Sequence, residues 1–95
     1  MNYKNPKWIR KRAVILRRDG YVCRECRRFG KTKEATTVHY ILPAEERSDL
    51  AWENDNLLSL CGNCHDAMHD RNNNTLTVKG MEWVERLPPH LRAKN

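Results

Sequence analysis

The segment Cys61-Gly62-Asn63-Cys64-His65-Asp66-Ala67-Met68-His69 decides how the rest of this 95-residue chain is read. It runs half of a metal-ligand quartet straight into two histidines. The other half lies upstream in Cys23-Arg24-Glu25-Cys26, so two Cys-x-x-Cys pairs stand 34 residues apart. Knuckles at that spacing suit one tetrahedral zinc ion, whereas the cysteines of a secreted scaffold are spread for distant pairing. A closed four-thiolate site leaves no coordination position for substrate. Cys23, Cys26, Cys61 and Cys64 are therefore read as a structural Zn2+ site.

The histidines are not needed by that quartet. A helix over residues 62–70 puts His65 and His69 at i and i+4 on one face. The third ligand available from a neighbouring strand is His39. A cluster of three histidines with open positions suits a catalytic divalent cation, with room for water and a phosphate oxygen. His90, near the C-terminus, is assigned to solvent.

Composition agrees with a metal-stapled domain. Only 39% of the residues are hydrophobic and seven are aromatic, a thin core for one small domain spanning 1–95. Residues 1–31 hold eleven Lys/Arg against Asp19 and Glu25, a net +9, whereas residues 32–95 carry −3. A basic third on a mildly acidic remainder points to a polyanion such as DNA. Met1 to Pro6 lacks the apolar stretch of a signal peptide, and no apolar run approaches the roughly 18 residues of a membrane span. The expectation is a reducing cytoplasm and no membrane partner.

Along the chain, Asn5-Pro6 reads as an N-cap and N1 pair opening a helix to Arg18, which stops at Asp19-Gly20. Trp8, Arg12, Ile15 and Asp19 share a stripe that Ile9, Ala13 and Leu16 widen. Arg10, Lys11, Arg17 and Arg18 lie largely off it and are the candidate DNA-binding residues. Residues 21–26 read as a short strand and knuckle, with a turn at Gly30. Residues 36–42 (Thr-Thr-Val-His-Tyr-Ile-Leu) are the clearest strand, ended by Pro43. Residues 44–56 are irregular, with one short helical turn, and Leu57-Leu58-Ser59-Leu60 returns beside the first strand. Asn72-Asn73-Asn74 is a loop, residues 75–78 are extended, and a last helix from Lys79-Gly80 ends at Leu87. Pro88-Pro89 stops it and leaves a disordered tail.

Three runs resemble a known family: Leu16 to Cys26 (LRRDGYVCREC), Val38 to Pro43 (VHYILP) and Asn54 to His65 (NDNLLSLCGNCH). Over about residues 8–71 they look like an HNH endonuclease of the zinc-bearing, phage-encoded kind. Fifteen residues separate Tyr40 from Asn56, eight separate Asn56 from His65, and three separate His65 from His69, similar to other members. The resemblance implies a small α+β domain with a ββα-metal core, the four-cysteine zinc site and a basic N-terminal helix. It implies DNA as substrate, a catalytic Mg2+, Mn2+ or other divalent ion, and phosphodiester hydrolysis. A homodimer or phage packaging proteins are the further partners it implies, in a host-cell cytoplasm. His39 and His65 match the metal-ligand positions, His39 standing where many members have Asp, and His69 matches the extra ligand. Asn56 matches the residue whose amide pins the loop near the base.

The departure is Tyr40, which stands where the family has its general-base His. Tyr titrates near ~10 and His near ~6.5, so about one phenol in ~10³ is ionised at neutral pH. Losing a general base costs ~10²–10⁴ in rate. Either Tyr40 impairs the nuclease, or the nearby cation activates the phenol, or a metal-bound hydroxide replaces the base; impairment is the favoured expectation. The alternative functions are a non-catalytic zinc module that binds nucleic acid, and a structural zinc protein docking through Trp83. Core packing is the simpler role for that tryptophan.

Overall fold

The computed structural model describes residues 4–73 and 75–92; Met1 to Tyr3, Asn74 and the expected tail beyond Arg92 lie outside them. Helix α1, Pro6–Arg18, starts as the sequence expects: the Asn5 side chain accepts a hydrogen bond from the Lys7 N–H, and Pro6 needs no donor at N1. It ends in a left-handed pair, Gly20 at φ 66° and Tyr21 at φ 61°, with the Tyr21 N–H bonded to the Leu16 carbonyl. The stripe is narrower than expected. Trp8, Ile15, Leu16 and Asp19 are buried, while Ile9 and Ala13 face solvent.

Strands β1, Thr37–Tyr40, and β2, Leu57–Leu60, pair antiparallel, with His39 opposite Leu58 and Tyr40 opposite Leu57. Successive strand residues alternate faces. On one face, Val38 and Leu57 pack with Trp8, Ile15 and Leu16 of α1, and Tyr40 lies against that cluster. On the other, Ile41, Leu58 and Leu60 join Met68, Trp83, Leu87 and Leu91. β1 is three residues shorter than expected, because the chain is bent away at Ile41 and Leu42 by hydrogen bonds to Asn56.

Several expected elements differ. Residues 21–26 are not a strand: Val22 makes a lone bridge to Glu34, and residues Arg24–Arg28 form helix α2, capped by the Cys23 sulfur accepting from the Cys26 N–H. The irregular segment holds two 3-10 turns, Ser48–Leu50 and Asn54–Asn56. Helix α3, Gly62–Ala67, stops before His69. Thr77 takes the carbonyls there, its hydroxyl donating to Ala67 and its N–H to Met68. His69–Asp70 (β3) then pairs with Thr75–Leu76 (β4), across a turn in which Asp70 accepts from the N–H groups of Asn72 and Asn73.

The Thr77 hydroxyl also caps helix α4, Val78–Glu85, which begins one residue early and ends two short of Leu87. Gly80 is required by packing, since a Cβ there would lie 2.5 Å from the Met68 carbonyl oxygen. The residues beyond Pro88 are helical rather than disordered as far as Arg92: α5, Pro89–Arg92, buries Leu91, whose carbonyl accepts from Arg47. Trp83 is 4% exposed, with its indole N–H on the buried Glu25 carboxylate, so it belongs to the core and offers no docking face. No helix among the described residues is long and apolar enough to cross a membrane.

Candidate metal centres and nuclease site

The four cysteines converge as free thiols. Cys23 and Cys26 sit at the start of α2, and Cys61 and Cys64 at the start of α3. The Cys26 sulfur lies 4.0 Å from that of Cys61 and 3.7 Å from that of Cys64. Tetrahedral zinc with bonds of about 2.3 Å needs sulfurs roughly 3.8 Å apart, so the quartet fits. Its electrostatics agree. Burial and the neighbouring thiols push Cys64 and Cys26 upward. Cys61 falls to about 7, because the Cys64 N–H and adjacent thiols outweigh its burial. Four thiolates this close require a cation between them.

The same helix carries one member of the second cluster. His65 follows Cys64 directly, His69 opens β3, and His39 enters from β1. Ring centroids lie 5.5 Å apart for His39–His65, 5.1 Å for His39–His69 and 5.9 Å for His65–His69, with the candidate ligand atoms all within 4.8 Å of one another. His65 and His69 thus converge as expected, although from a helix and a strand rather than one helical face. His39 is 2% exposed, and its Nε2 is buried with no hydrogen-bond partner. An unpaired buried nitrogen is costly, and a metal bond would satisfy it. Burial, then the charges of His69 and His65, holds its pKa down at about 3; burial and His69 lower His65 as well. Both are therefore neutral imidazoles at neutral pH, the form that ligates metal.

Asn56 is fully buried and fixes the end of β1. Its Oδ1 accepts from the Leu42 N–H at 2.8 Å, and its Nδ2 donates to the carbonyls of Leu42 (3.1 Å) and Leu50 (3.3 Å). Tyr40 stands just before this bend, stacked on Trp8. A cavity of about 470 Å³ opens over the histidines and is lined also by Tyr40, Arg12 and Glu45. Arg12 is held there by a 2.9 Å hydrogen bond to the Thr36 carbonyl. Neither Arg12 nor Glu45 stood out in the sequence as a site residue. Arg12 carried a signal, being a cation on the buried stripe of α1; Glu45 carried none.

The four basic candidates of α1 divide. Arg10 and Arg17 are exposed, and Lys11 reaches Asn54 Oδ1 at 2.6 Å. Arg18 serves the fold: its guanidinium binds both oxygens of buried Asp19 and the carbonyls of Asn54 and Leu57.

The HNH endonuclease family profile matches residues 23–71, from the first knuckle cysteine to just past His69. The fold is similar to the crystal structure of the HNH endonuclease of the deep-sea thermophilic bacteriophage GVE2 with manganese ion. Identity is 34% over 67% of this chain and 70% of that chain, with a TM-score of 0.65. Among curated proteins none matches significantly.

Proposed function

We propose, on the premise that this chain belongs to the HNH endonuclease family, that it nicks or cuts DNA in a divalent-metal-dependent reaction slowed by Tyr40. The observation that carries this reading is the His39–His65–His69 cluster at an open cavity with Arg12 in its wall. The ββα arrangement of β1, β2 and α3, with β3 following directly, brings the three imidazoles together. His39 and His65, neutral by burial, and His69 would hold the ion, and the similar GVE2 structure contains a manganese ion. A divalent ion there supplies positive charge to the scissile phosphate and the departing 3′-oxygen.

The chain's own residues do the rest. Arg12 offers a guanidinium to a phosphate oxygen at the cavity wall. Asn56, by tying Leu42 to Leu50, keeps β1 from shifting His39 and Tyr40. Arg10, Lys11 and Arg17 hold flanking backbone phosphates in a salt-sensitive manner. The zinc quartet acts through position, fixing the first turn of α3 through Cys64, the residue before His65. All of this lies in one domain, residues 1–95.

Tyr40 is the weak member. Its neutral phenol can orient a water but accepts a proton poorly at pH 7. Relaxation of supercoiled plasmid in Mn2+, with an EDTA control, tests the reading. The wild type nicks slowly and Tyr40→His faster, by about 10²-fold or more. Equal rates contradict impairment. DNA binding without nicking by either protein supports a non-catalytic zinc module instead.

A further inference from the structure

If Tyr40 does not take the proton, another group in the cavity must, and the lining residues can be sorted by chemistry. Arg12 is a permanent cation and never accepts. The histidines are committed to the cluster as ligands. Glu45 is the remaining acceptor, and the one carboxylate lining this cavity. It also lines a second groove that shares Pro43 and His69 with this cavity, so it belongs to both. No hydrogen bond or ion pair with another described residue occupies its carboxylate.

Its backbone, by contrast, is held. Residues 43–47 form a turn in which the Pro43 carbonyl accepts from the N–H groups of Glu46 and Arg47. One end of this turn is tied through Leu42 to Asn56, and the other through Arg47 to Asp49 and the Leu91 carbonyl. Glu45 is exposed, and the pinned turn fixes its backbone, which keeps an uncommitted carboxylate beside the cavity where water enters.

We propose that Glu45 is the proton acceptor of this active site, in place of the imidazole that Tyr40 displaces; this rests on the nuclease reading above. As the water oxygen bonds to phosphorus, its proton passes to a Glu45 carboxylate oxygen. The bond from phosphorus to the 3′-oxygen breaks, that oxygen leaves with the electron pair and takes a proton from solvent, and Glu45 returns its proton to solvent. A carboxylate is a weaker base than an imidazole, so this route is slower than the imidazole one.

The test compares four proteins in Mn2+ on supercoiled plasmid: wild type, Glu45→Gln, Tyr40→His and the double variant, with Mn2+ affinity of each measured by calorimetry. Glu45→Gln lowers the wild-type nicking rate by about 10²-fold and leaves Mn2+ affinity unchanged. The same change in the Tyr40→His background has little effect, because the imidazole has taken over. An unchanged rate for Glu45→Gln overturns the proposal. A loss matched by weaker Mn2+ binding, or equally large in both backgrounds, also overturns it. Nicking by Tyr40→His alone, with none by the wild type, removes Glu45 as a base and leaves the nuclease reading standing. Nicking by none of the four overturns both.

Discussion

Tyr40 lies stacked on Trp8, ring centroids 5.5 Å apart and planes at 30°, so the residue at the edge of the histidine cavity is braced by the first helix. Trp8 is itself 3% exposed and meets Trp52 edge-on at 6.3 Å, whose far side is covered by the Lys7 ammonium. The N-terminal helix therefore shapes the site from behind as well as carrying positive charge. Trp8→Ala should cost about 3–5 kcal/mol of stability, as expected for emptying a buried aromatic site. Trp8→Phe, which keeps a stacking partner, should cost well under half of that. Urea denaturation followed by far-UV circular dichroism measures both.

Asn56 supplies three side-chain hydrogen bonds that tie the residues after β1 to the turn ending at Leu50. Asn56→Ala leaves the Leu42 N–H and carbonyl unsatisfied and strips the Leu50 carbonyl of one of its two donors, at a cost of about 2–4 kcal/mol. Asn56→Asp keeps the acceptor for Leu42 but places a carboxylate against two carbonyls, and should be at least as harmful. A folded variant that retains full nicking activity would remove the positioning role of Asn56.

Asp19 gathers Arg18, Arg24 and the Ser59 N–H around a carboxylate that is 2% exposed. Burial raises its pKa, but the hydrogen bonds from Arg18 and Ser59 outweigh that and leave it below 3.8. A carboxylate with a lowered folded pKa stabilises fully above the unfolded value and loses that contribution as pH falls through the folded one. Asp19→Asn should cost about 3 kcal/mol at pH 7, toward the low end for a broken buried pair because both guanidiniums keep some solvent. The gap between the two proteins should shrink as pH drops below 3.8. Taking that difference cancels the acid sensitivity of the thiolates they share.

The basic helix separates into two experiments. Arg10→Ala and Arg17→Ala should leave stability unchanged and each reduce the slope of log affinity for DNA against log salt by about 0.9. Arg18→Ala should instead destabilise, since its guanidinium ties Asp19 to the carbonyls of Asn54 and Leu57. DNA titrations at several salt concentrations, paired with thermal melts, distinguish the roles.

Much of this site was legible because its chemistry is written in residue types that seldom occur for other reasons. Two cysteine pairs and three histidines converge in space as their spacing implied, and Pro6, Asn5 and Gly20 mark the first helix by local backbone rules. What escaped were features set by distant partners. The helix bearing His65 stops early because Thr77 captures its last carbonyls, an event ten residues downstream. Arg47 fastens the C-terminal turn through the Leu91 carbonyl, which no local pattern announces. Arg18 reads as one of several surface cations until Asp19 is seen buried beside it. Glu45 was hidden in an acidic irregular stretch, since only the folding of residues 43–47 over the histidines gives that carboxylate a place.

Anomalous diffraction at the zinc and manganese edges, on crystals grown with Mn2+, tests the two-metal account most directly. The account predicts a zinc peak among the sulfurs of Cys23, Cys26, Cys61 and Cys64, and a separate manganese peak among His39, His65 and His69 that His65→Ala abolishes. A manganese peak elsewhere, or none at the histidines while the zinc site is filled, would contradict it.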